Sequence, residues 1–150
     1  MDYVGLGLHW NDLEVGQKFR TINRTITEAD LVNFINATGM VEMIFTDKTF
    51  ANQGAIKGAR PVPGALCYCF AEGLLVQATM QNTGLAMLEC DLKVLGPTNV
   101  GDTIHVEVEV LSLRPTSKGN RGIVKTRNDI VNQEGVTVAT FEATRMMAGR

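Results

Sequence analysis

Apolar and polar residues follow two different periods along this chain. From Ala86 onward they alternate: Ala86, Leu88, Cys90, Leu92 and Val94 interleave with Met87, Glu89, Asp91 and Lys93, the pattern of a half-buried strand. Ile104, Val106, Val108 and Val110 do the same against His105, Glu107 and Glu109. Gly122 to Val131 and Val136 to Met146 read as two more strands, joined by the tight turn Asn132-Gln133-Glu134-Gly135. Upstream the period is helical. Leu31, Phe34 and Ile35 form the inward stripe of a short helix, with Thr27 as cap, Asp30 completing a capping box, and Gly39 as terminator. The segment Trp10 to Phe19 is a turn-rich entry bent at Gly16, followed by a strand from about Lys18 to Ile26. Residues 40–62 are irregular, with a helical turn or two around Asp47 to Gln53.

Between the two halves lies Ala65 to Met80, apolar nearly all round: Leu66, Tyr68, Phe70, Leu74, Leu75, Val76 and Met80 fall on several faces. Pro61, Pro63 and Gly64 punctuate its start. The stretch is too short to cross a bilayer and carries Glu72 and Gly73 at its middle, so it reads as a core helix. Long strands after one central helix predict an α+β layer arrangement with the helix on one face of an antiparallel sheet. One sheet covers only one side of such a rod. A second copy is expected to cover the rest, as a homodimer or higher even oligomer; cover by the N-terminal helix and the irregular segment of the same chain is the other reading.

Length and composition narrow this further. At 150 residues the chain is expected to be one domain, 1–150, and with 45% hydrophobic and 20% charged residues it is globular. A net charge of -2 gives no basic face for nucleic acid. Met1 to Trp10 has no basic segment followed by an apolar run, so no secretory signal is expected, and three cysteines imply no disulfide framework; a cytoplasmic protein away from the membrane is the simplest expectation. Cys67 and Cys69 share neither a helix face nor a histidine partner, and no metal site is expected.

The order of the pieces now resembles a known family. Asp12-Leu13-x-Val15-Gly16-x-x-Phe19, Thr25-x-Thr27-x-x-Asp30-x-x-x-Phe34 and Thr38-Gly39 are similar to the opening of MaoC-like hydratases. Pro63-Gly64-Ala65-Leu66 resembles their helix start, and Val100-Gly101-Asp102-Thr103, Ser117-Lys118, Arg121-Gly122 and Asn132-Gln133-x-Gly135 resemble their C-terminal strands. The resemblance implies a hot-dog fold, a sheet wrapped round a long helix, that binds acyl thioesters of coenzyme A or acyl carrier protein. It implies no cofactor beyond the coenzyme A of the substrate. The family hydrates 2-enoyl thioesters, or the reverse, with an Asp and a His in a pattern like Gly-Asp-x-Asn-Pro-x-His. Here Gly39 matches, but Met40 stands at the Asp position, Glu42 at the Asn, Met43 at the Pro and Phe45 at the His. Neither methionine nor phenylalanine exchanges protons, so the usual dyad is absent.

Several residues remain as candidates. The resemblance implies that backbone N–H groups at Gly64 and Ala65 bind the thioester carbonyl, and a helix N-terminus suits a developing oxyanion; a plain helix start needing a small residue is the alternative. Glu72, eight residues after Gly64, matches the place of a carboxylate used as base or nucleophile in related acyl-CoA thioesterases. Desolvation on an apolar helix would raise its pKa and suit a base, whereas pairing with Arg or Lys would make it structural. Glu42 falls within the displaced segment as a substitute acid or base, or is an exposed loop carboxylate. Asp47 reads as a helix cap rather than a base. His9 and His105 have no suitable spacing. Lys118 and Arg121, with Arg114, cluster at a turn able to meet coenzyme A phosphates, as a solvated hairpin tip equally would. Three functions follow: a hydratase or dehydratase relative with altered catalytic residues, a thioesterase using Glu72, or a non-catalytic subunit paired with a dyad-bearing paralogue, in which Met40, Met43 and Phe45 line or plug the acyl tunnel.

Overall fold

Four long strands and one long helix dominate the computed structural model, which describes residues 1–50 and 60–150. The strands are β1 (Lys18–Arg20), β2 (Arg24–Thr25), β3 (Gly84–Val94), β4 (Thr103–Pro115), β5 (Arg121–Val131) and β6 (Thr137–Ala148). They form one antiparallel sheet in the order β1-β4-β5-β6-β3, with β2 pairing beside β1 on β4. The helices are α1 (Glu28–Thr38), the single turn α2 (Met43–Thr46) and α3 (Gly64–Thr79). The strand expected from Lys18 to Ile26 is thus two short pieces, broken where Thr21 turns its hydroxyl to the Val106 N–H at 2.9 Å. The helical turn expected around Asp47 to Gln53 is found earlier, as α2; residues 51–59 lie outside the described part. No helix among the described residues is long and apolar enough to cross a membrane.

The alternation of β4 and β5 puts Ile104, Val106, Val108 and Ile130 on the inner face, where Leu66, Ala71, Leu74 and Leu75 of α3 meet them with almost no exposure. Each such aliphatic side chain contributes about 1.5–3 kcal/mol on burial. Leu31 and Ile35 of α1 close the same core from the other side. Arg24 binds three pieces together: it pairs with Asp30 at 3.2 Å and lies 3.8 Å over the ring of Phe70. The outer face of the sheet is polar, with Glu109 paired to Arg127 across β4 and β5.

α1 is closed at both ends by local chemistry. The Thr27 hydroxyl accepts from the Asp30 N–H at 3.2 Å, and the Asp30 carboxylate accepts from the Thr27 N–H at 2.8 Å. Gly39 ends the helix with φ 73°, the left-handed conformation that favours glycine. Burial alone would raise the Asp30 carboxyl, but the two Thr27 hydrogen bonds and the Arg24 guanidinium outweigh it and hold it below its ordinary value of 3.8. A carboxyl lowered by folding stabilises the protein above its unfolded value, and that contribution is lost as pH falls through the folded value. Asp30→Asn is therefore expected to flatten the acid limb of a stability profile below about pH 4, and Thr27→Ala to cost about 1 kcal/mol at neutral pH. Urea denaturation across pH checks both; an acid limb unchanged in Asp30→Asn would remove Asp30 from the account.

β3 departs from the sequence expectation. Its alternation predicts a half-buried strand, yet all of it is exposed. The cause is position: β3 is the sheet edge, paired only with β6, and irregular registers between Gly84 and Ala86 and between Met87 and Glu89 break the simple period. Leu88 is 52% and Val94 58% exposed, and Leu85, Met87 and Leu92 are exposed beside them. On α3 the small residues Ala65, Cys69 and Gly73, with Val76, form an exposed stripe. An edge strand and a helix face of this character are open to another chain.

Candidate functional site

The start of α3 is where this fold leaves reactive backbone exposed. The chain reaches it along a short antiparallel contact: Val100 N–H donates to the Arg60 carbonyl at 2.8 Å, Pro61 bridges Asn99, and Val62 N–H donates to the Thr98 carbonyl at 3.0 Å. Arg60 is itself fixed by a forked pair with Glu28 of α1, its Nη2 2.7 Å from the Glu28 Oε1. Pro63 caps α3 without a side-chain hydrogen bond. The N–H groups of Leu66 and Cys67 turn back to the Pro63 carbonyl, whereas those of Gly64 and Ala65 find no acceptor among the described residues. These are the free donors that every helix start presents, with the positive end of the helix dipole behind them.

Gly64 sits against Val94 of β3, and a Cβ there would stand 3.1 Å from the Val94 Cγ2. Beside it is a cavity of about 100 Å³ lined by Gly64, Cys67, Val94, Thr98, Val138 and Ala139 among others. The Cys67 thiol accepts from the Thr98 hydroxyl at 3.6 Å, and burial pushes that thiol above its ordinary range. It is a wall of the cavity and no nucleophile. Cys69 is exposed and its thiol is likewise raised, first by burial.

One and two turns further along the same face come Tyr68 and Glu72. The Tyr68 ring meets Phe141 edge-on, 5.0 Å between centroids. Burial, then the Cys90 thiol and the Glu72 carboxylate beside it, push the Tyr68 hydroxyl well above the usual tyrosine value. Glu72 is gripped by Arg145 of β6: Nη1 donates to Oε2 at 3.0 Å and Nη2 to Oε1. Arg145 is only 5% exposed. Both carboxylate oxygens are thereby engaged, which is the structural alternative that the sequence allows for Glu72. Sequence reasoning missed Arg145, for nothing local marks a partner 73 positions away.

The segment Met40 to Phe45, aligned with the family's dyad, carries one ionisable group, Glu42. Glu42 is exposed and caps α2, its carboxylate accepting from the Ile44 N–H at 3.2 Å. Phe45 is half-buried and packs against the main core, while Met40 and Met43 point outward. Asp47 folds over its own turn, its carboxylate taking the Thr49 N–H at 2.9 Å and the Thr49 hydroxyl at 2.6 Å, and the Thr49 hydroxyl bond holds its carboxyl below the usual range. His105 lies half-buried on the outer face, where burial and Arg20 lower it. His9 caps the turn before β1. Among the described residues no group of three His, Cys, Asp or Glu could hold a metal ion.

Lys118 and Arg121 lie at the hairpin between β4 and β5, away from the start of α3 within one subunit. Arg121 lies opposite Ala148, and Gly64 sits by Ala139 at the other end of β6. Nine residues of strand separate them by about 30 Å. The Asp102 motif has a structural task instead: its carboxylate accepts from the Asn99 N–H at 2.8 Å and the Gln133 amide at 2.9 Å, fixing the loop behind α3.

Comparison with known proteins adds to this geometry. A family model described as "FAS1-like, dehydratase domain region" matches residues 14–141. The protein MaoC of Klebsiella aerogenes is 33% identical over 104 residues, 67% of this chain; that match takes in 30% of MaoC, so the chain spans about a third of that relative. An R-hydratase from Pseudomonas aeruginosa superimposes with a TM-score of 0.78 and 28% identity, covering 96% of this chain and 87% of that one. A Mycobacterium tuberculosis protein described as a double hot-dog fold gives a TM-score of 0.87 at 21% identity, over 99% of this chain and 46% of that one.

Proposed function

Because this chain belongs to the FAS1-like dehydratase-region family, with the hot-dog fold of MaoC-like hydratases, we propose that it binds an acyl thioester at the start of α3. The observation that carries this reading is the pair of N–H groups of Gly64 and Ala65, free among the described residues and opening beside an apolar cavity. The thioester carbonyl oxygen accepts from them, and the helix dipole favours the charge that grows on that oxygen when the double bond is attacked or formed. The acyl group follows the apolar strip between α3 and β3. The carrier is coenzyme A or acyl carrier protein, and no further cofactor takes part.

Chemistry at that site is hydratase-related in lineage and weak in equipment. Hydration needs a base to take a proton from water and an acid to protonate the substrate carbon. Met40 and Phe45 do neither, and Glu42 is the one ionisable group between them in sequence. Crotonyl-CoA hydration is therefore expected to be slow or undetectable. Whatever rate exists is expected to fall about 100-fold or more in Glu42→Gln if that carboxylate substitutes for the dyad. Absorbance of the enoyl thioester follows both proteins directly. Rapid hydration that survives in Glu42→Gln would contradict this assignment.

The unpaired edge of β3 and the exposed Ala65–Cys69–Gly73 stripe favour a second reading beside the first. They fit a second subunit, either another copy or a dyad-bearing paralogue that supplies the acid and base. Light scattering of the pure chain and of the complex isolated from its native source separates the two. A monomer in both preparations would sink either version. Hydrolysis of acyl-CoA by Glu72 is the remaining alternative, measured as thiol release; its pairing with Arg145 disfavours it by drawing charge from that carboxylate.

A further inference from the structure

The cavity beside Gly64 has apolar walls with one hydroxyl among them. Val62, Val94, Val138 and Ala139 supply hydrocarbon, and of its lining residues Thr98 alone carries a hydroxyl. Thr98 is 6% exposed. Backbone fixes it: its carbonyl accepts from the N–H of Val62 at 3.0 Å, two residues before Gly64. The hydroxyl therefore keeps a set position relative to the start of α3. Its hydrogen has one acceptor among the described residues, the Cys67 sulfur at 3.6 Å. A thiol is a weak acceptor, and burial, which raises the Cys67 pKa, keeps this one protonated. A buried hydroxyl with so poor a partner is destabilising, whereas valine of nearly the same shape would fill the space without that cost. Packing gives no reason for threonine at this position; a ligand bound in the cavity does.

We propose that Thr98 determines specificity: its hydroxyl donates to an oxygen on the third carbon of an acyl group held at Gly64, so that the site prefers short oxygenated acyl thioesters to saturated ones. The inference rests on the proposed thioester site at Gly64. A cavity of about 100 Å³ has room for roughly three or four heavy atoms, at about 30 Å³ for a water-sized group. A four-carbon acyl group with one oxygen on its third carbon places four beyond the thioester carbonyl. Cys67, the present partner of the hydroxyl, lies three residues inward from Gly64, about 4.5 Å of helix rise. That is about the reach from a thioester carbonyl to the hydrogen-bond partner of an oxygen two carbons further on. A ligand oxygen about 2.8 Å from the hydroxyl replaces a long contact to sulfur with an ordinary hydrogen bond. A saturated chain offers nothing better than the sulfur, and the preference follows from a bond that only the oxygenated group completes.

The test is calorimetric titration of butyryl-, 3-hydroxybutyryl- and acetoacetyl-CoA into the wild type, Thr98→Val and Thr98→Ser. The keto oxygen of acetoacetyl-CoA can only accept, so its binding reads donation by the protein. The wild type is expected to bind both oxygenated thioesters at least about tenfold more tightly than butyryl-CoA. Thr98→Val is expected to remove that preference while leaving butyryl-CoA affinity within about twofold, since shape is kept and only the donor is lost. Thr98→Ser, which keeps the hydroxyl, is expected to retain the preference. A preference that survives undiminished in Thr98→Val overturns the assignment. Equal affinities of all three thioesters for the wild type overturn it without any variant being made, and leave the thioester site standing. Failure of all three to bind the wild type overturns the thioester site and the role of Thr98 together.

Discussion

Replacing Glu72 alone with leucine is expected to lower the unfolding free energy by about 3 kcal/mol, because it strands the Arg145 guanidinium in the core without a counter-charge. Arg145 is 5% exposed, so water compensates little. Arg145→Met alone should cost a similar amount by leaving Glu72 half-buried beside Tyr68. The double replacement should cost much less than the sum, because the interaction being lost is the same one in both single variants. Urea denaturation of the four proteins closes the cycle. A Glu72 that acts only as a thioesterase nucleophile would behave otherwise: its loss would abolish thiol release and leave stability nearly unchanged. Additive single costs would contradict the ion pair as a unit.

The second large effect is expected at Gly64. Gly64→Val places a branched side chain where a Cβ already comes 3.1 Å from Val94, and it stands in front of the free N–H groups. Butyryl-CoA affinity is expected to fall at least about tenfold, which corresponds to about 1.4 kcal/mol of lost binding. Gly64→Ala should fall between the two, since the Val94 side chain has only a few tenths of an ångström to give. Helical circular dichroism should be unchanged, as valine is tolerated in the first turn. Full affinity in Gly64→Val would mean that the thioester sits elsewhere. The two experiments probe opposite ends of one helix face, and they fail independently.

How much of this could be read from the chain depended on how local the cause was. Thr27, Asp30 and Gly39 make hydrogen bonds or backbone turns within a few residues, and the sequence pattern placed α1 and its ends correctly. The α3 start, signalled by Pro63 and Gly64, was equally plain. β4 declared its inner face through alternation. β3 showed the same alternation and is nevertheless exposed, because lying at a sheet edge depends on which strands pair and not on its own residues. Glu72 stood out as a charge on an apolar helix. Its partner could not be seen, since Arg145 comes from the last strand and only the fold brings it back. The hairpin that carries Lys118 and Arg121 is local in the same way, whereas its distance from Gly64 is set by the length of β6. Met40 and Phe45 were legible as missing chemistry from residue type alone.

The central claim is that the free N–H groups at the start of α3 hold the carbonyl of an acyl thioester. A crystal structure of the protein with butyryl-CoA bound tests it most directly. The thioester oxygen should lie about 3 Å from the amide nitrogen of Gly64 or Ala65, with the acyl group running along α3 toward Tyr68. A thioester bound at any other place, with those two N–H groups turned to solvent, would contradict it.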